Sequence, residues 1–159
     1  MVSDTVSKIF PSNIRILAQS LLGDKSPITE NSFSPRELNS LRDLAYLSRY
    51  RDGNDIQYYD YNMYFDEKYP YNPGAPWENT LLDNYKWSIQ DPVFSMMGTI
   101  GRANLINKNG NTYIKDRYNF NGSFDNERDE WSKGFRTLHD IAQKLAPDRE
   151  VLINLGRIK

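Results

Sequence analysis

An Asn109-Gly110 dipeptide separates two runs of alternating residue type and predicts a β-hairpin near residues 101–118. Both residues tolerate the positive φ that a two-residue turn needs. Side chains alternate along a strand, so the second strand presents two faces. One face carries Tyr113, Lys115 and Arg117, and the other carries Ile114, Asp116 and Tyr118. The hairpin therefore predicts a small antiparallel sheet.

Helix signals precede the hairpin. Ser12 and Gly23 mark the start and end of a first predicted helix. Ser34 followed by Pro35 and by Glu37 three residues later is typical of a capping box, so a second helix is expected from there to about Gly53. Residues 79–90 are predicted to be helical, and a further helical turn over 91–97 is expected to close at Gly98.

Two segments have weaker signals. Residues 1–10 are expected to form a loose, flexible arm. Aromatic residues over 56–65 favour an irregular strand, because aromatic side chains suit a pleated, half-buried surface. Prolines at 70, 73 and 76 then predict a loop, because proline cannot donate to a strand ladder.

Apolar residues recur at helical spacing after the hairpin and predict an amphipathic helix over 126–145. They are Trp131, Phe135, Leu138, Ile141, Ala142 and Leu145. A short C-terminal strand is predicted at 151–155. The expected fold class is α+β, with one domain over residues 1–159. A right-handed βαβ unit made of hairpin strand, helix and last strand is an alternative, because the crossover is long enough.

Composition excludes several classes of site. The chain has no cysteine and one histidine, so disulfides, thiol nucleophiles and zinc sites are disfavoured. The net charge is −1 and no basic stripe is evident along the sequence, which argues against nucleic acid as a partner. No apolar run has the length of a signal peptide or a membrane span, so a soluble protein is expected.

Polar side chains that could take part in chemistry cluster where the hairpin ends. Asp116, Asn119, Asn121 and Asp125 offer carboxylate and amide oxygens, which suit Mg²⁺ or Ca²⁺. The alternative interpretation is structural, since the same residue types fix turns and cap helices. His139, a further candidate, has no catalytic motif around it and fits a half-buried position at the edge of a helix.

A tyrosine-rich segment over 58–77 is the second candidate site. Irregular aromatic surface is typical of protein-binding sites, and the acidic neighbours of these rings argue against nucleic acid. Packing of the rings over the core is the alternative. The candidate binding residues are Tyr58, Tyr59, Tyr61, Tyr64, Tyr69, Tyr71 and Trp77.

The segment Ile114-Lys115-Asp116-Arg117-Tyr118-Asn119-Phe120-Asn121-Gly122 resembles the Asp-x-Tyr-Asp-Phe-Asn element of small uncharacterised proteins of tailed phages. It is more distantly similar to the active-site element of colicin M-type bacteriocins. The resemblance covers about the last 60 residues. It implies Mg²⁺-dependent cleavage of lipid II, with Asp116, Tyr118 and Asp125 as candidate catalytic residues. Asn119 stands where that family has an aspartate, and an amide cannot serve as a general base.

These observations favour a non-enzymatic, phage-encoded structural or interaction protein, without a cofactor, that contacts a protein partner such as another virion subunit. The virion or the host cytoplasm is its expected location. The alternatives are a Mg²⁺-dependent, colicin M-like phosphoesterase acting on lipid II and a small inhibitor of a host protein.

Overall fold

A computed structural model describes residues 1–50, 53–68, 81–118, 138 and 140–158. Helices and a four-stranded antiparallel sheet make up an α+β fold, which confirms the predicted class. The helices are α1 (Asp4–Ile9), α2 (Ser12–Leu21), α3 (Pro35–Tyr50), α4 (Tyr58–Lys68), α5 (Leu81–Gln90) and α6 (Pro92–Thr99), and a 3-10 turn spans Glu30–Ser32. The strands are β1 (Asp55–Ile56), β2 (Ala103–Lys108), β3 (Asn111–Tyr118) and β4 (Arg149–Asn154). Residues 140–145 are also helical.

The predicted hairpin is confirmed and occupies the middle of the sheet. The strand order is β1-β2-β3-β4, and Lys108 pairs with Asn111 across the turn. Asn109 and Gly110 have φ values of 53° and 83°, as a tight hairpin turn requires. Strand β4 runs antiparallel to β3, so the alternative βαβ reading is wrong, since that unit needs a parallel pair.

The core lies between one face of the sheet and the helices. Leu105, Ile114 and Ile153 are buried on this inner sheet face. Helical side chains complete the cluster, among them Ile16, Leu41, Leu44, Phe65 and Phe94. Within the described part of the chain, no helix is long and apolar enough to cross a membrane.

Helix α3 begins at the predicted capping box. The Glu37 main-chain N–H donates to Ser34 Oγ at 3.2 Å, and the Ser34 N–H donates to Glu37 Oε1 at 2.9 Å. Arg15 forms an ion pair of 2.7 Å with the same carboxylate. Glu37 is buried, so these donors satisfy a charge that would otherwise be costly to bury.

Three boundaries differ from the sequence predictions. Residues 4–9 form α1 where a loose arm was expected, with Ser3 Oγ accepting the Val6 N–H. Helix α2 has Pro11 at its N-cap, because the Ser12 hydroxyl instead bonds Ser95 Oγ at 2.7 Å in the core. Helix α6 continues to Thr99 and does not close at Gly98; the chain turns at Gly101, which has a φ of 58°.

The predicted strand over 56–65 is wrong, since only Asp55–Ile56 pair with β2 and α4 follows. Asp60 Oδ2 accepts the Gln57 N–H at 2.8 Å at the start of this helix. Tyr61, Tyr64 and Phe65 have the spacing of one helical face and are all buried. Helical packing against the core therefore outweighs the preference of aromatic residues for strands.

Residues from the N-terminal part of the chain form hydrogen bonds with the C-terminal strand and the residue that follows it. Ile28 forms a parallel bridge with Val151, in which its N–H donates to Glu150 O at 2.8 Å and its carbonyl accepts the Leu152 N–H at 2.9 Å. Arg42 Nε donates to Leu155 O at 2.7 Å. These bonds satisfy backbone groups along the outer edge of β4.

Candidate functional site

The sheet has a second face, which the helices in the described part of the chain do not cover. Along β2 and β4, buried and exposed residues alternate, so the side chains opposite the core lie on this outer sheet face. Asn104, Ile106 and Lys108 belong to it from β2, Asn111, Tyr113, Lys115 and Arg117 from β3, and Glu150, Leu152 and Asn154 from β4. A strand face open to solvent normally carries polar residues, so the apolar members require an explanation.

Three of these residues form an apolar diagonal across the outer sheet face. Ile106 lies directly opposite Tyr113 in the β2–β3 register. Leu152 lies opposite Lys115, which places it diagonally from Tyr113, two positions earlier on β3. Ile106 is 40% exposed and Leu152 is 39% exposed. The diagonal therefore leaves large apolar side chains in water on three adjacent strands.

Basic residues surround the apolar diagonal. Lys108, Lys115 and Arg117 are exposed on the outer sheet face, where Glu150 is the acidic member. Arg102, also exposed, precedes β2. Three positive charges and one negative charge give this face +2, whereas the whole chain carries −1. The face thus differs in sign from the protein as a whole.

Asp116, the first sequence-predicted catalytic candidate, projects from the opposite, inner face of β3, opposite Val151. Burial raises the pKa of its carboxyl from 3.8 to about 6, while the Arg117 main-chain N–H has the opposite, lowering effect. A carboxyl with that pKa changes its protonation just below neutral pH, which is what a general acid or base requires.

Tyr61 lies close enough to Asp116 for the two to interact electrostatically. Burial raises the pKa of the Tyr61 hydroxyl well above its ordinary value, and the charges of Tyr58 and Asp116 add to the increase. The phenol is therefore protonated near neutral pH and donates to Gly101 O at 2.6 Å. The structure thus brings together Asp116 and Tyr61, from the two candidate segments.

The predicted metal ligands are not assembled in the described residues. Asn119, Asn121 and Asp125 lie outside them, as does His139; Tyr118 ends β3 and pairs through its backbone with Arg149. Among the residues the structure describes, no group of three carboxylate or imidazole side chains could hold a metal ion. Of the four predicted ligands, the described residues therefore include Asp116 alone, which would supply one oxygen.

The tyrosine-rich candidates divide into buried and exposed residues. Tyr61 and Tyr64 are buried and pack against the core, so neither ring is open to solvent. The Tyr64 hydroxyl donates to Asp91 Oδ2 at 3.0 Å and packs α4 onto the start of α6. Tyr58 and Tyr59 are 40% and 58% exposed and are accessible to a partner. Tyr69, Tyr71 and Trp77 lie outside the described residues.

The outer sheet face was only partly foreseeable. The alternation along β3 places Tyr113, Lys115 and Arg117 together, as predicted. Ile106 and Leu152 join them only through the β2–β3 and β3–β4 registers. The pairing of distant strands is not encoded in local periodicity, so the apolar diagonal could not be read from sequence alone.

Comparisons with protein-family models, with curated proteins and with solved structures found no match to this chain. The resemblance of the segment around Asp116 to phage and colicin M-type proteins therefore remains a prediction.

Proposed function

We propose that this chain is a non-enzymatic interaction protein that docks onto a protein partner through the outer sheet face. In this proposal it serves phage particles, as a virion subunit or an assembly component. The observation that carries the proposal is the apolar diagonal of Ile106, Tyr113 and Leu152, on a sheet face that no helix among the described residues covers. Exposed apolar clusters of this kind are typical of protein-contact surfaces.

The apolar diagonal is too small to act alone. Complete burial of a large apolar side chain contributes about 1.5–3 kcal/mol. Ile106 and Leu152 are about two fifths exposed and Tyr113 is less exposed, so the three residues together offer roughly 1–3 kcal/mol on burial. A micromolar complex needs about 8 kcal/mol. The contact surface must therefore extend beyond the diagonal.

Tyr58 and Tyr59 provide further aromatic surface at the start of α4. Tyrosine is favoured in interfaces because its ring is large and rigid while its hydroxyl can hydrogen-bond. We include these two residues in the proposed contact surface, with Tyr69, Tyr71 and Trp77 as additional predicted members.

Site-specific photo-crosslinking tests this proposal. Benzoylphenylalanine is placed at Ile106 or Leu152 in cells that produce the chain together with the products of neighbouring genes. Leu22, which is 88% exposed on another part of the surface, is the matched control position. A discrete protein adduct from 106 and 152, absent from 22, is expected. No adduct at 106 and 152, or the same adducts at all three positions, would contradict the proposal.

The adduct also separates the two non-enzymatic alternatives. Capsid or tail proteins in the adduct support a structural role. A host enzyme there, inhibited by the purified chain, would instead identify a small inhibitor of a host protein and refute the virion role.

The rival proposal is a Mg²⁺-dependent phosphoesterase that acts on lipid II. The half-buried Asp116, with its pKa raised to about 6 beside Tyr61, is the observation that favours it. Lipid II cleavage by the wild type and by Asp116→Asn in the presence of Mg²⁺ decides between the proposals. Equal background turnover contradicts the rival, whereas cleavage that only the wild type performs contradicts the non-enzymatic role.

A further inference from the structure

We propose that the outer sheet face selects an acidic, extended protein segment that presents an apolar anchor and carboxylates at every second position, on one of its faces. This inference rests on the proposed function and specifies the chemistry of the partner. It follows from the sign of the charges around the apolar diagonal and from their spacing along β3.

The outer sheet face is positively charged, in contrast to the chain as a whole. Lys108, Lys115 and Arg117 give it a positive excess over Glu150 although the chain as a whole is slightly acidic. Exposed Arg102 lies just before β2 and adds to the positive potential. Complementary potentials steer association and reject partners of like charge, so a partner of negative charge is favoured.

The spacing of the charges indicates an extended partner. Tyr113, Lys115 and Arg117 follow one another at every second position of β3, and a strand rises about 3.4 Å per residue. The ring of Tyr113 and the two cations are therefore about 7 Å apart in succession. A partner segment in strand-like conformation has the same repeat on one of its faces, so its apolar anchor and its carboxylates would meet these three side chains in turn.

Single-stranded nucleic acid is also negative, but the face offers it little. Sequence-tolerant binding of single strands relies on aromatic rings that stack successive bases. On the described outer sheet face Tyr113 is the aromatic residue, and its neighbours Ile106 and Leu152 are aliphatic. These observations favour a polypeptide.

Fluorescence anisotropy tests the inference with a defined probe. The probe is a labelled peptide of about twelve residues in which every second residue follows the order phenylalanine, glutamate, glutamate and the residues between them are serine, so that one strand face carries both the apolar anchors and the carboxylates. A second peptide has glutamine in place of every glutamate, and an oligothymidine of about twenty nucleotides represents single-stranded nucleic acid.

The variant Lys108→Glu/Lys115→Glu reverses two charges on the outer sheet face. Its matched control, Lys25→Glu/Lys86→Glu, makes the same change at two lysines that are exposed elsewhere. Neither pair includes Arg117, so Glu150 does not acquire a like-charged partner across the strands. Urea denaturation verifies that each variant retains its stability.

We expect the wild type to bind the acidic probe and the face variant to bind it at least about tenfold more weakly, with less than about a twofold loss in the control. Raising the salt concentration to about 0.5 M should weaken wild-type binding, because it screens exposed charges. Equal affinity for the glutamate and glutamine peptides, an equal loss in both variants, or tighter binding of the oligothymidine would each overturn the inference.

The crosslinking result separates failure of the inference from failure of the proposed function. If adducts at 106 and 152 persist in Lys108→Glu/Lys115→Glu, the proposed docking surface is supported and its preference for acidic partners is refuted. Loss of the adducts in that variant, with retention in Lys25→Glu/Lys86→Glu, supports both.

Discussion

Replacement of Asp116 by asparagine is expected to stabilise the protein near neutral pH. Asparagine has nearly the same shape but carries no charge. The pKa of Asp116 is raised by burial from 3.8 to about 6, so the folded state disfavours the ionised carboxylate. Each tenfold change in acidity corresponds to about 1.4 kcal/mol, which gives about 3 kcal/mol for a fully shielded group. Because Asp116 is only partly buried, solvent screening reduces this to about 1–2 kcal/mol.

The pH dependence identifies the cause. Between pH 3.8 and about 6 the folded state binds more protons at Asp116 than the unfolded state does, so this group lowers the free energy of unfolding as the pH rises through that window. Above about pH 6, Asp116 is ionised in both the folded and the unfolded wild type, and burial of the carboxylate lowers the free energy of unfolding by the full amount. The advantage of Asp116→Asn should therefore be about 1–2 kcal/mol near pH 7.5 and no more than a few tenths near pH 4.

Urea denaturation of both proteins at several pH values, followed by tryptophan fluorescence, measures this difference. Titrations elsewhere in the chain affect both proteins and cancel. Asp43→Asn, at an exposed carboxyl on α3, controls for the loss of one surface charge. Destabilisation by Asp116→Asn near pH 7.5, or the same gain near pH 4, would refute the argument that burial penalises this carboxylate.

Two further predictions concern the hydrogen bond of Tyr61 and the hairpin turn. Tyr61→Phe should lower the free energy of unfolding by about 1–2 kcal/mol, because it removes the hydroxyl that donates to Gly101 O at 2.6 Å. Urea denaturation measures this loss, with Tyr59→Phe as the control at an exposed tyrosine. Equal urea midpoints for the two variants would contradict the prediction. Gly110→Ala should cost about 1 kcal/mol, because alanine is strained at a φ of 83°. Thermal denaturation measures this cost against Asn109→Gly, and an equal melting temperature in the two variants would disprove it.

Local signals predicted some elements of the fold well. The capping box of Ser34 and Glu37 and the Asn109-Gly110 turn depend on residues within four positions of each other, so the sequence carries their full chemistry. The strand prediction for 56–65 fails because it rests on aromatic content and not on the helical spacing of Tyr61, Tyr64 and Phe65. Packing against core residues from other parts of the chain favours helix α4, and the local sequence does not reveal those residues.

The candidate sites depend more on tertiary structure. The proximity of Asp116 to Tyr61 joins residues from β3 and α4, and no spacing in the sequence relates them. The raised pKa of Asp116 requires knowledge of the packing on the inner sheet face. The residue type and position of Asp116 therefore suggest its chemistry, whereas its protonation depends on the fold.

The bridge between Ile28 and Val151 has a consequence for the order of folding. It joins residues 123 positions apart (151 minus 28), and β4 also completes the sheet through β3. The sheet cannot be completed on a ribosome until residues 149–154 have emerged, by which time the N-terminal helices have long been exposed. Until then the core side chains of those helices, such as Ile16, Leu41 and Leu44, are not fully covered by the sheet. Chain synthesis is therefore the stage at which this protein is most open to aggregation, and chaperones that shield apolar surface should increase its yield most when translation is slow.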